Sequence, residues 1–99
     1  MWIRSQDKNY FIEVNAFEIK RTGNVYFVIG YHTENSNDDI YWHFGNYSSE
    51  EKAIKVLDMI QDFEIRHQAN LLLAIYQESN DNAEENMVFQ MPQDSEVEV

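Results

Sequence analysis

Hydrophobic and polar positions alternate through the first half of the chain and change period in the second. Met1–Arg4 reads as a short strand and Tyr10–Lys20 as a longer one. In the longer one Ile12, Val14 and Ala16 share a face, and Phe17 and Ile19 then continue in the opposite phase. Strand side chains repeat every second residue, so this slip predicts a bulge near Ala16 or Phe17. Thr22-Gly23-Asn24 is a turn signal, and Val25–His32 follows as a strand that is apolar on both faces. Thr33–Asp39 is polar and aperiodic, a loop. Ile40, Trp42 and Phe44 alternate with Tyr41, His43 and Gly45, the pattern of a half-buried strand. Together the four segments predict an antiparallel meander.

From Ser48 the period changes to that of a helix. Ser48 or Ser49 supplies the cap, Ser48 and Glu51 having capping-box spacing, and Glu50 and Glu51 suit the positive end of the helix dipole. Ala53, Val56, Leu57, Ile60 and Phe63 form the apolar stripe, and Leu71, Leu72, Ala74 and Ile75 resume it after a polar stretch. Ser79–Asn86 reads as an acidic loop. Met87–Met91 adds a last strand stopped by Pro92, and Gln93–Val99 is expected to fray. The predicted class is α+β: a small antiparallel sheet of four to five strands packed on one long helix. One domain is expected over residues 1–92, with an acidic tail at 93–99.

Two geometric features predict self-association as a homodimer or higher oligomer. A helix from Ser49 to Tyr76 would be roughly 42 Å long, whereas a domain of this size is about 30 to 35 Å across. It must either break near Asn70 or extend to meet another surface. The sheet also carries apolar side chains for two faces, Trp2, Tyr10, Tyr26 and Tyr41 among them, while one helix covers only one.

Charge sharpens the picture. The 99 residues hold 18 acidic and 7 basic side chains, a net charge of -11. Residues 1–55 carry 8 acidic and 6 basic groups, whereas residues 56–99 carry 10 acidic groups and only Arg66. Such a field repels phosphate backbones and anionic membranes and favours basic protein surfaces, so direct nucleic-acid or membrane binding is not expected. The apolar runs Val25–Gly30 and Leu71–Tyr76 fall far short of the roughly 20 residues of a membrane span. No secretory leader pattern opens the chain, and a cytoplasmic location in a bacterial host is expected. With no cysteine, thiolate catalysis, disulfides and thiolate metal sites are excluded.

The remaining chemistry is sparse. Glu64 and His67 are three apart on the predicted helix, half of the ligand set of a carboxylate-bridged metal pair, and a solvated helix face is the simpler reading. His43 follows a loop containing Asp38 and Asp39, but no serine stands in a nucleophile-elbow context. Gly23, Gly30 and Gly45 are too far apart for a phosphate-cradling turn. Neither an enzyme nor a cofactor or metal is expected. A small anionic ligand, such as a signalling nucleotide, is the alternative expectation. Its site would be an oligomer seam formed by Trp2, Arg4, Lys20, Arg21, Tyr41 and His43, with cations for phosphate and rings for a base.

Met1-Trp2-Ile3-Arg4-Ser5-Gln6-Asp7-Lys8 resembles the opening of a group of short proteins of low-GC Gram-positive bacteria, their phages and integrated elements. Tyr47 with Ser48–Ala53, Val56, Leu57 and Ile60, and then Val88-Phe89-Gln90-Met91-Pro92, are similar as well. The resemblance implies a small α+β fold and a mobile-element setting, and it carries no activity or site residues with it. The leading functional expectation is a non-enzymatic counter-defence factor that blocks a host protein with a basic, nucleic-acid-binding surface. Asp58, Asp62, Glu64, Glu78, Asp81, Glu84 and Glu85 would provide the acidic contacts and exposed aromatics the anchors.

Overall fold

A computed structural model describes residues 1–34, 40–77 and 88–99. The strands are β1 (Trp2–Arg4), β2 (Phe11–Glu13), β3 (Ala16–Thr22), β4 (Val25–Tyr31), β5 (Trp42–Tyr47) and β6 (Val88–Gln90). One helix, α1 (Glu50–Gln77), separates β5 from β6, and a 3-10 turn (Asp94–Glu96) follows. The α+β class holds. The single sheet of four to five strands is instead two sheets of three, ordered β2-β1-β6 and β3-β4-β5.

The phase slip near Ala16 marks the crossing between these sheets. Val14 N–H donates to the Met1 carbonyl and the Met1 ammonium to the Val14 carbonyl, both at 2.9 Å, which extends the first sheet. One residue later, Asn15 N–H donates to the Tyr31 carbonyl at 3.1 Å and opens the second. The predicted bulge is therefore a change of sheet, with Val14 buried at the joint. A true irregularity sits in β5, where Val28 pairs with Gly45 but Ile29 pairs with His43, leaving Phe44 as the extra residue. Phe44 enters the core, and Ile40 and Trp42 remain 46 % and 43 % exposed.

The core lies between the two sheets and α1. Ile3, Val14, Val28, Phe44, Tyr47 and Phe89 from the sheets meet Ala53, Val56 and Ile60 from the helix, with Leu57 and Phe63 packed against them. These helical positions are the apolar stripe of the sequence. Ser49 is the cap: its hydroxyl accepts the Lys52 N–H at 3.2 Å, and the helix starts at Glu50. The alternative pairing of Ser48 with Glu51 is not made, because Ser48 donates its N–H and hydroxyl to Asp94 Oδ1 at 2.9 and 3.1 Å. The helix runs through Asn70 without a break.

The last strand is present as expected and pairs parallel to β1. Residues 93–99 depart from the frayed end expected of them. Val97 is 4 % exposed within the core, and Lys52 Nζ donates to the Asp94 carbonyl at 2.8 Å. The buried Val97 side chain and the bonds from Ser48 and Lys52 to Asp94 tie the segment to the start of the helix. Residues 79–86, expected as a loop, lie outside the described residues. Among those described, no helix is long and apolar enough to cross a membrane.

Candidate functional site

The second sheet has a face turned to α1 and a face turned away. Tyr26 and Val28 of β4 join the core, so alternation puts Phe27, Ile29 and Tyr31 on the opposite face, where Ile29 is itself buried and Phe27 and Tyr31 are half-buried. On that outer face four side chains form a row. The Phe27 and His43 ring centres are 4.9 Å apart, and His43 and Tyr41 are nearly parallel at 5.5 Å. Lys20 Nζ stands 4.2 Å above the centre of the Tyr41 ring, a cation–π contact.

The row ends at a cavity of about 250 Å³ between β5 and the Ser5–Tyr10 turn, lined by Asp7, Tyr10, Phe27, His43 and Asn46 among others. The turn closes through Ser5 N–H to the Tyr10 carbonyl and Lys8 N–H to the Ser5 carbonyl, both 2.9 Å, with Lys8 in the left-handed region at φ 66°. It is fastened to β5 because Gln6 N–H donates to the Phe44 carbonyl at 2.7 Å. The Gln6 carboxamide also accepts the Asn46 N–H and donates to the Asn46 carbonyl, each at 3.1 Å. The Tyr10 hydroxyl donates to the His43 carbonyl. Inside the turn, Asp7 Oδ1 accepts from the Ser5 hydroxyl at 2.6 Å and from Asn9 N–H at 3.0 Å. These two bonds hold the Asp7 carboxyl below its ordinary range, so it is charged at neutral pH. Burial, and then the Asp7 charge, push the Tyr10 phenol above its ordinary value.

A second, larger depression of about 520 Å³ lies between α1 and the crossing from β2 to β3, lined by Met1, Val14, Phe17, Leu57, Ile60 and Ile65 among others. Its walls are mainly apolar and it brings together no reactive pair.

The six residues named for an anionic ligand divide among three places. Lys20, Tyr41 and His43 stand together in the outer row. Trp2 and Arg4 lie on the solvent face of the first sheet, where Trp2 meets Phe11 at 5.2 Å between ring centres and Arg4 Nη2 donates to the Lys8 carbonyl at 3.2 Å. Arg21, next to Lys20 on β3, points to the other face, its guanidinium 5.6 Å from the Tyr26 ring centre. One protomer therefore does not assemble the six into a single pocket.

Of the acidic residues, Asp58 and Asp62 are exposed on α1, and Asp62 pairs with Arg66 at 3.0 Å. Glu64 is half-buried, accepts from Gln68 at 3.1 Å and borders the larger depression. His67 stacks on Phe63 at 6.4 Å between ring centres. No group of three metal-ligating side chains occurs among the described residues. Glu78, Asp81, Glu84 and Glu85, and Asp38 and Asp39 beside the His43 strand, lie outside them.

Asp7, Tyr10 and Phe27 are the cavity residues that sequence reasoning missed. The short polar side chains Ser5, Asp7 and Asn9 do carry a turn signal, but it is the pairing of Gln6 with β5 and the Tyr10 hydroxyl on the His43 carbonyl that bring the turn beside His43. No family model, curated protein or solved structure matches the chain.

Proposed function

We propose that the chain is a non-enzymatic binding protein that docks on a basic surface of a host protein, serving a phage or mobile element as a counter-defence factor. The observation that carries this reading is the apolar group on the solvent face of the first sheet. Trp2 and Phe11 are in ring contact there, 39 % and 56 % exposed, and Val88 pairs beside Trp2. Large apolar side chains grouped in water mark an interaction surface, and aromatic anchors dominate binding energy at such surfaces. The exposed carboxylates of α1 and the net charge of -11 select a basic partner. Exposed Ile54, Ile65 and Leu72 on α1 support a homodimer or higher oligomer as part of the same reading.

Affinity capture from host lysate, in parallel for the wild type and Phe11→Ser, tests it. Phe11 is exposed, so its replacement leaves the core unchanged. The expected result is a basic host protein retained by the wild type and depleted at least about tenfold on the variant, the effect of losing one anchor of 1.4 kcal/mol or more. Equal capture by both would remove the aromatic face from the interface. A nucleotide co-purifying in place of a protein would favour the small-ligand alternative.

A further inference from the structure

The cavity between the Ser5–Tyr10 turn and β5 has a composition that selects its occupant. Its walls are the rings of Tyr10, Phe27 and His43, and its lining contains no lysine or arginine. Asp7 is the fixed charge. The Ser5 hydroxyl and the Asn9 N–H both donate to Oδ1, and the Asn9 side chain gives the carboxylate further support. The Asn46 carboxamide makes no hydrogen bond among the described residues. Of the nearby cations, Arg4 is engaged on the Lys8 carbonyl and Lys20 over the Tyr41 ring, and Lys8 of the turn makes no ion pair with Asp7 among the described residues.

A carboxylate beside aromatic faces repels a phosphate and attracts a cation. Size narrows the choice further, because about 250 Å³ is below the roughly 300–1,000 Å³ of small-molecule sites. That volume suits one long side chain better than a whole nucleotide. Among cationic side chains, the planar guanidinium combines stacking on a ring with forked hydrogen bonds to a carboxylate, which a lysine ammonium cannot reproduce.

We propose that the Asp7–Tyr10–Phe27–His43 cavity seats an arginine side chain of the partner protein. The inference rests on the binding reading above and names the anchor that the partner contributes. In the complex, the guanidinium lies against the His43 and Phe27 rings and donates to the Asp7 carboxylate and the Asn46 carboxamide oxygen. The Ser5 hydroxyl and Asn9 N–H hold the carboxylate in place beforehand, so little ordering accompanies binding.

The test uses the full chain and a defined probe, N-acetyl-arginine methylamide, titrated while backbone amide shifts are followed by NMR. Saturable shifts confined to Asp7, Tyr10, Phe27, His43, Gly45 and Asn46 are expected, with a dissociation constant of about 1 to 10 mM for a single side chain. Asp7→Asn keeps the turn-forming side chain but removes the charge, and should weaken binding about tenfold or more. The exposed His43→Ala, which removes a stacking partner, should weaken it as well, and this second variant decides the matter if Asp7→Asn fails to fold. The neutral isostere N-acetyl-citrulline methylamide should not bind. Absence of saturable shifts, equal binding of the citrulline probe, or unchanged affinity in a folded variant would overturn the assignment. Loss of probe binding together with intact lysate capture would refute this anchor alone. Probe binding without any captured protein would refute the partner reading and leave the arginine site standing.

Discussion

A methyl group at Gly30 would sit 2.6 Å from Phe44 Cε2 and 2.9 Å from Val14 Cγ2, both buried side chains at the joint of the two sheets. Neither neighbour has free space, since Phe44 is wedged in by the β5 bulge and Val14 is held at both its N–H and its carbonyl. Gly30→Ala is therefore expected to lower the unfolding free energy by about 1–3 kcal/mol, the usual cost of forcing volume into a packed core. Urea denaturation followed by tryptophan fluorescence measures it, and an unchanged midpoint would mean that the joint yields. In the sequence Gly30 is one more small residue in an apolar run, because its neighbours come from segments 16 residues before it and 14 after it. Asp7 illustrates the same limit. Its turn is visible from spacing, but the rings around it arrive through a backbone pairing that no local pattern encodes.

At the scale of elements, helix and strand periodicity were legible wherever one face is buried. Ala53, Val56 and Ile60 occupy the core as their spacing requires, and the phase slip read near Ala16 or Phe17 lies just past the change of sheet between Val14 and Asn15. Its nature was not legible, because a bulge and a change of sheet shift the side-chain phase identically. Composition misled at the C-terminus, where three acidic residues concealed Val97 and the Asp94 lock. Asp94 is held below its ordinary value chiefly by the Ser48 N–H; burial opposes this, and the Ser48 hydroxyl and the Lys52 ammonium, 3.5 Å from Oδ2, add smaller lowering effects. Because its pKa is lower in the folded chain than in the unfolded one, Asp94 contributes stability above the ordinary value of 3.8, and that contribution is lost as pH falls through the folded value. Asp94→Asn should thus be less stable than wild type at pH 7, with the gap closing below pH of about 4. Truncation after Pro92 also uncovers the core under Val97 and should cost about 1.5–3 kcal/mol more at either pH. Thermal unfolding at the two pH values checks both, and a pH-independent gap for Asp94→Asn would assign its effect to packing.

For the whole molecule, the proposed docking would divide between the acidic half and the aromatic face. Exposed carboxylates act over distance and accelerate encounter, and ring contacts act after encounter and slow release. Salt screens the first over a Debye length of about 8 Å at physiological ionic strength and leaves the second almost untouched. Asp58 is the cleaner probe of this division, because Asp62 is already paired with Arg66 on the helix surface. The decisive measurement is the association rate with the captured basic partner across a salt series, for the wild type and for the double variant Asp58→Lys, Asp62→Lys. The wild-type rate should fall steeply as salt rises, and charge reversal should lower the rate at low salt while leaving dissociation nearly unchanged. An association rate that ignores both salt and charge reversal would contradict docking on a basic surface and reduce the acidity to a means of staying soluble.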